Sequence, residues 1–113
     1  MKIYHNPRCS KSRTTLNLLI SKTSEFEIID YLKNPIKFEE IKFIIKKLKI
    51  KPIELVRTNE SIWKKSYKGK QLTDKEIIIA MIENPRLIER PIVTTNKKAI
   101  IGRPPENVLS LFD

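Results

Sequence analysis

Cys9 is the single cysteine of the chain and stands among polar and basic residues, with Arg8 before it and Ser10 and Lys11 after it. It falls where an apolar segment ends and a helical pattern begins. At the first turn of a helix, a thiol meets unpaired backbone N–H groups and the positive end of the helix dipole, which favour the nucleophilic thiolate. A buried structural cysteine, the alternative interpretation, usually has apolar neighbours in sequence. The pattern therefore indicates a reactive thiol.

The residues around Cys9 argue against several common cysteine chemistries. Asn6 occupies the position three residues before Cys9, so the chain lacks a Cys-x-x-Cys dithiol, and an external thiol must resolve any adduct on Cys9. A tyrosine phosphatase loop would place arginine six residues after the cysteine, where this chain has Thr15. Two glycines are too few for a glycine-rich nucleotide loop, so NAD, FAD and ATP are not expected as ligands. Cys9 is thus predicted to act as a monothiol.

The composition limits the remaining possibilities. With 113 residues, 40% of them hydrophobic, the chain is predicted to fold as a single domain, residues 1–113. One cysteine and one histidine can form neither an internal disulfide nor a four-ligand zinc site, so no metal is expected. The sequence has no run of about 20 apolar residues and no secretory signal, which predicts a cytoplasmic protein without a membrane span. Its net charge of +10 favours anionic partners.

The elements that position Cys9 follow from the hydrophobic spacing and from seven prolines. Residues 1–5 are predicted to form a strand, residues 9–22 a helix and residues 25–32 a second strand. Strand, helix and strand in this order favour a parallel βαβ crossover. Residues 37–84 are predicted to be a helical block, in which a capping-box pattern begins at Thr73.

A hairpin and a final helix complete the predicted fold. The hairpin consists of residues 91–95 and 99–101, and the helix of residues 104–112. The expected class is α/β, with a four-stranded mixed sheet that is flanked by helices and takes its antiparallel strands from the hairpin. This order matches the thioredoxin-like fold, with residues 37–84 as a helical insertion between the N-terminal βαβ and C-terminal ββα units.

Five segments, spread over nearly the whole chain, carry a family resemblance. They cover residues 3–13, 30–35, 55–57, 88–93 and 101–106. Together and in this order they closely resemble the glutaredoxin-coupled arsenate reductase family, which is ArsC-like and belongs to the thioredoxin-fold superfamily. The resemblance implies that Cys9 is the nucleophile that attacks arsenate.

The resemblance also implies that Arg57, Arg90 and Arg103 bind the oxyanion. Planar guanidinium groups hold a tetrahedral oxyanion through paired, charge-assisted hydrogen bonds, which lysine cannot reproduce. They also offset the repulsion between a thiolate and an anion. Arg90 and Arg103 each precede a proline, which favours extended backbone. The resemblance further implies that Pro91 is a cis-proline that brings Arg90 beside Cys9.

Four more residues near Cys9 are implied as support for its thiolate. By the resemblance, His5 and Ser12 help to lower the pKa of the thiol. Asn6 and Arg13 are expected to support the loop that carries it. A histidine at the end of a strand is more often an ordinary polar residue, so the assignment of His5 depends on the resemblance.

The resemblance implies no bound cofactor, glutathione as co-substrate, glutaredoxin as the reducing partner, and a monomer. Two alternatives stay open. A glutathione-dependent thiol oxidoreductase or redox sensor of the same family would share the fold and Cys9 but use another substrate. A Spx-like regulatory interaction protein is disfavoured because Asn6 breaks the Cys-x-x-Cys pair of those regulators. Nucleic-acid binding is also disfavoured, because aromatic residues make up only 7% and the lysines are dispersed.

Overall fold

The chain folds into two compact units. A computed structural model describes residues 1–112. The first unit comprises Met1–Asn34 and the chain from Arg90 onward, and the second comprises Pro35–Glu89. The boundaries of the second unit lie close to those of the helical insertion predicted from the sequence.

The first unit is built on a four-stranded mixed sheet. Its strands are β1 (Lys2–His5), β2 (Glu27–Asp30), β3 (Ile92–Thr94) and β4 (Ala99–Ile101). They lie in the order β2-β1-β3-β4, where β1 is parallel to β2 and antiparallel to β3, and β3 is antiparallel to β4. The predicted mixed sheet, with the hairpin as its antiparallel part, is therefore confirmed.

Helix α1 (Ser10–Lys22) connects the two parallel strands and packs against β1 and against a C-terminal 3₁₀ helix, Pro105–Phe112. Ile3 of β1 lies opposite Val93 of β3, so both side chains point to the same face of the sheet. The core of this unit is formed by fully buried aliphatic residues: Ile3, Leu19, Val93 and Val108. This core holds α1, the helix that begins directly after Cys9, against the sheet.

The second unit is helical, as predicted. It contains α2 (Phe38–Leu48), α3 (Ser61–Ser66) and α4 (Asp74–Glu83), with 3₁₀ helices at Pro52–Leu55 and Pro85–Leu87. The predicted capping box is present: Thr73 N–H donates to Glu76 Oε1 at 2.9 Å, and Glu76 N–H donates to Thr73 Oγ1 at 3.2 Å. None of the helices described for residues 1–112 is both long and apolar enough to span a bilayer.

Two predicted elements differ from the structure. Residues 104–112 were expected as an α-helix but form a 3₁₀ helix, in which the Ser110 hydroxyl and the Asn107 side chain bond to main-chain carbonyls and compete with the regular helical pattern. Strand β2 is shorter than residues 25–32, because the Asp30 carboxylate accepts from Leu32 N–H at 3.1 Å and turns the chain away from the sheet.

Candidate active site

Cys9 lies at the N-cap of α1, directly after the loop that leaves β1. Its backbone is extended, with φ −93° and ψ 121°. Its N–H donates to Asn6 O at 3.0 Å, and its carbonyl accepts the first helical bond from Arg13 N–H at 3.0 Å. The thiol is partly exposed, so a reactant can reach it. The sequence pattern that placed a thiol at the junction of strand and helix thus matches the observed position.

Two opposing effects set the pKa of the Cys9 thiol. Burial raises the pKa, but hydrogen bonds from the backbone N–H of Ser12, from the Arg90 guanidinium and from the backbone N–H of Lys11 lower it, together with the positive charge of Arg90. The lowering effects prevail, so the pKa of Cys9 lies below its usual value. The start of α1 and Arg90 therefore stabilise the thiolate.

Arg90 also carries a hydrogen-bond donor that is not used within residues 1–112. Its Nε is buried and has no hydrogen-bond partner among them, although the same guanidinium bonds to the sulfur of Cys9. A buried donor left unpaired costs about 1–3 kcal/mol. An anionic oxygen beside the sulfur would satisfy it. The peptide bond between Arg90 and Pro91 is cis, and Pro91 is buried.

His5 and Ser12 form a buried pair behind the thiol. His5 Nδ1 lies 2.7 Å from Ser12 Oγ, which also accepts from Asn6 N–H at 3.1 Å. Burial lowers the pKa of His5, and nearby Arg13 lowers it further, whereas the Asp30 carboxylate raises it; the net result is a lowered pKa. The ring is thus neutral at pH 7. The pair fixes the side chain of Ser12, whose backbone N–H bonds to the sulfur.

Hydrogen bonds from Asn6 and Arg13 stabilise the loop between β1 and α1. Asn6 Oδ1 accepts from Arg8 N–H at 3.0 Å, while the Asn6 carbonyl accepts from Cys9 N–H. Arg13 Nη1 donates to the carbonyl of Pro7 at 2.8 Å. The two residues that were expected to support the loop therefore contact it directly, Asn6 from within and Arg13 from the helix.

The remaining two arginines lie in different units. Arg103 follows Gly102 in the first unit, and its carbonyl accepts from Asn107 Nδ2 at 3.1 Å. Arg57 belongs to the second unit, where its Nη1 forms a salt bridge with Glu60 Oε1 at 3.3 Å. Among the three predicted arginines, Arg90 stabilises the Cys9 thiolate by its charge and by a hydrogen bond to the sulfur.

Sequence reasoning missed a contact between Thr15 and Gly102. Thr15 is fully buried, and its hydroxyl lies 3.0 Å from Lys11 O and 3.1 Å from Gly102 O, so that its one proton is shared between the two carbonyls. The available signal was a glycine directly before Arg103 in a chain with only two glycines. Within residues 1–112, no group of three His, Cys, Asp or Glu side chains is arranged to hold a metal ion.

Comparisons with known proteins find similarity along nearly the whole chain. A family model described as the ArsC family matches residues 4–111. The chain is 46% identical over 113 residues to the uncharacterized protein YfgD of Escherichia coli strain K12, covering 98% of this chain and 95% of that protein. It is 43% identical over 112 residues to an arsenate reductase of Haemophilus influenzae, covering 97% of each.

Solved structures give the same result for the fold. The arsenate reductase from Vibrio cholerae matches with a TM-score of 0.91 and 43% sequence identity, covering 97% of both chains. Together with the observed strand order, this similarity confirms the predicted thioredoxin-like α/β fold.

Proposed function

The chain belongs to the ArsC family, and from that premise we propose that it is an arsenate reductase with Cys9 as its nucleophile. The observation that carries the proposal is the guanidinium of Arg90, which bonds to the sulfur of Cys9 while its buried Nε lacks a partner among residues 1–112. An oxygen of arsenate at this position would accept from Nε while the arsenic atom faces the sulfur. The nucleophile and the oxyanion donor are then side by side.

The first step is attack of the Cys9 thiolate on arsenic. A sulfur–arsenic bond forms and an arsenic–oxygen bond breaks, so hydroxide leaves and takes a proton from solvent. Because thiolate and arsenate are both anions, their approach is opposed by charge repulsion, which the guanidinium of Arg90 offsets. On the family resemblance, we assign Arg103 to the same oxyanion, and the oxyanion role of Arg57 stays a prediction.

The second step requires an external reductant, because the chain holds a single cysteine. Glutathione attacks the arsenic of the adduct, and its sulfur replaces a second oxygen, which leaves as hydroxide. A glutaredoxin thiolate then attacks the glutathione sulfur: a disulfide bond forms between the two thiols, the bond from glutathione sulfur to arsenic breaks, and its electron pair stays on arsenic, which passes from As(V) to As(III). Water finally displaces Cys9 from arsenic, so that arsenite leaves and the Cys9 thiol is restored. The proposed enzyme is a cytoplasmic monomer without a bound cofactor, in which the protein supplies the nucleophile and the anion site.

The test is NADPH oxidation in a coupled assay with arsenate, glutathione, glutaredoxin and glutathione reductase. We expect turnover by the wild type and none by Cys9→Ser. We expect Arg90→Lys to reduce kcat/KM at least about tenfold, because lysine keeps the charge but loses the planar fork. Arg86→Lys is the matched control, since Arg86 is exposed in the second unit. The proposal is wrong if the wild type shows no arsenate-dependent oxidation, or if Cys9→Ser matches it.

A glutathione-dependent oxidoreductase or redox sensor is the second candidate. The observation in its favour is the lowered pKa of Cys9, which suits any thiolate chemistry. In that case, glutathione disulfide would form a stable mixed disulfide with Cys9, and arsenate would neither form an adduct nor protect Cys9 from alkylation. Intact-protein mass spectrometry after each treatment distinguishes the two candidates.

A further inference from the structure

Thr15 links α1 to a distant part of the first unit. Its side chain is fully buried, and its hydroxyl reaches Gly102 O at 3.1 Å across 87 residues of sequence. The same hydroxyl lies 3.0 Å from Lys11 O in its own helix, an interaction that threonine commonly makes in helices, and its one proton is shared between the two carbonyls. The contact with Gly102 is therefore the one that joins two separate segments.

Gly102 has no space for a side chain at this contact. A Cβ atom there would lie 2.8 Å from Thr15 Cγ2, 2.9 Å from Thr15 Oγ1 and 3.1 Å from Pro91 Cγ. Gly102 N–H also donates to Pro91 O at 2.8 Å. Glycine is thus required here for close approach, and it holds the helix that begins after Cys9 against the strand that begins after Pro91.

The two oxyanion arginines predicted in the first unit are attached to this contact through the backbone. Arg103 directly follows Gly102, and Arg90 directly precedes Pro91. We propose that Thr15 and Gly102 are positioning residues of the oxyanion site, which set the spacing between the Cys9 helix and the backbone that carries Arg90 and Arg103. The groups that act on the thiol are Ser12, Lys11 and Arg90, so Thr15 and Gly102 are proposed to act through the backbone. This inference rests on the arsenate-binding role proposed above for the two arginines.

Thr14 provides a matched control for Thr15. Its hydroxyl makes the same type of bond within the helix, to Ser10 O at 3.0 Å, but the residue is exposed. Thr14→Val therefore removes a hydroxyl from the same helical turn and leaves the contact between Thr15 and Gly102 in place. Any loss shared by both valine variants would reflect the helix rather than the oxyanion site.

The experiment measures the dissociation constant of arsenate from its protection of Cys9 against alkylation, with kcat and KM from the coupled assay. We expect Thr15→Val to raise the dissociation constant and KM about three- to tenfold, because it lacks the hydroxyl. Thr15→Ser, which keeps the hydroxyl, and Thr14→Val should stay within about twofold of the wild type. The pH dependence of alkylation should change less than arsenate binding, since the Ser12 and Lys11 N–H groups remain.

A second pair of variants tests the close approach between Gly102 and Thr15. This pair also provides the test if Thr15→Val does not fold. Gly102→Ala should weaken arsenate binding about tenfold or more, because its methyl group must displace Thr15 or Pro91. Adding Thr15→Ala should recover part of this loss, since two of the three close atoms belong to Thr15.

Three results would overturn the inference: unchanged arsenate binding in Thr15→Val, an equal loss in Thr15→Ser, or no recovery when Thr15→Ala is added to Gly102→Ala. Failure of the proposed function is a different result, because arsenate would then fail to protect Cys9 in the wild type.

Discussion

Removal of the Ser12 hydroxyl should destabilise the protein strongly while leaving the main stabilisation of the thiolate in place. Ser12 is fully buried, and its Oγ serves two partners, His5 Nδ1 at 2.7 Å and Asn6 N–H at 3.1 Å. Ser12→Ala leaves both of these polar groups buried without that partner. Each costs about 1–3 kcal/mol, so we expect the free energy of unfolding to fall by about 2–6 kcal/mol. This is a large part of the about 5–15 kcal/mol typical of a domain.

Urea denaturation followed by circular dichroism measures this loss. Ser10→Ala is the control, because Ser10 is exposed at the start of the same helix, and its effect should stay within about 0.5 kcal/mol. The alkylation rate of Cys9 at neutral pH should change little in Ser12→Ala, since the sulfur bonds to the backbone N–H of Ser12 rather than to its hydroxyl. His5→Leu combined with Ser12→Ala should lose less than the sum of the two single variants.

A loss below about 0.5 kcal/mol in Ser12→Ala would refute this account, because it would mean that His5 and Asn6 find other partners. Additive losses in the double variant would also refute it, since they would show that the two side chains do not stabilise the fold through each other.

Three further predictions concern the thiol, pH and the second unit. Arg90→Leu should raise the pKa of Cys9 and slow its alkylation by iodoacetamide at pH 7, because the charge and the hydrogen bond of Arg90 favour the thiolate; Arg86→Leu should not. The pKa of His5 is lowered in the folded protein, so the stability that depends on its neutral form is present above the ordinary histidine pKa of 6.5 and is lost as the pH falls below it. His5→Gln should reduce this difference between urea titrations at pH 7.5 and pH 5. Thr73→Ala should lower the free energy of unfolding by about 1 kcal/mol in the same assay, because α4 loses its N-cap.

The position of Cys9 could be predicted because the relevant physics is local. An apolar strand, a turn containing Pro7 and a helical pattern after Cys9 together determine where the thiol lies on the backbone. The hairpin was predictable for the same reason, since two short apolar segments flank a polar turn. Both features depend on residues that are neighbours in the sequence.

The contacts that surround the thiol could not be predicted in the same way. The bond between Thr15 and Gly102 joins residues far apart in sequence, and no local pattern marks a hydroxyl for a distant carbonyl. The unpartnered Nε of Arg90 is likewise a product of packing, because it is buried in a side chain that interacts with Cys9, a residue far away in the sequence. The 3₁₀ form of the C-terminal helix depends on side-chain bonds that helical spacing does not reveal.

The structure also bears on the choice between oxyanion chemistry and thiol exchange. Stabilising a thiolate requires donors at the sulfur, and the backbone N–H groups of Ser12 and Lys11 already supply two. Arg90 adds a third at the sulfur and a further donor, Nε, that bonds to nothing within residues 1–112. Thiol exchange provides no anionic oxygen bonded to the atom that reacts with Cys9, because the carboxylates of glutathione lie several bonds away from its sulfur. A tetrahedral oxyanion beside the sulfur does present one, and the buried Nε therefore favours arsenate or a similar anion as the reactant.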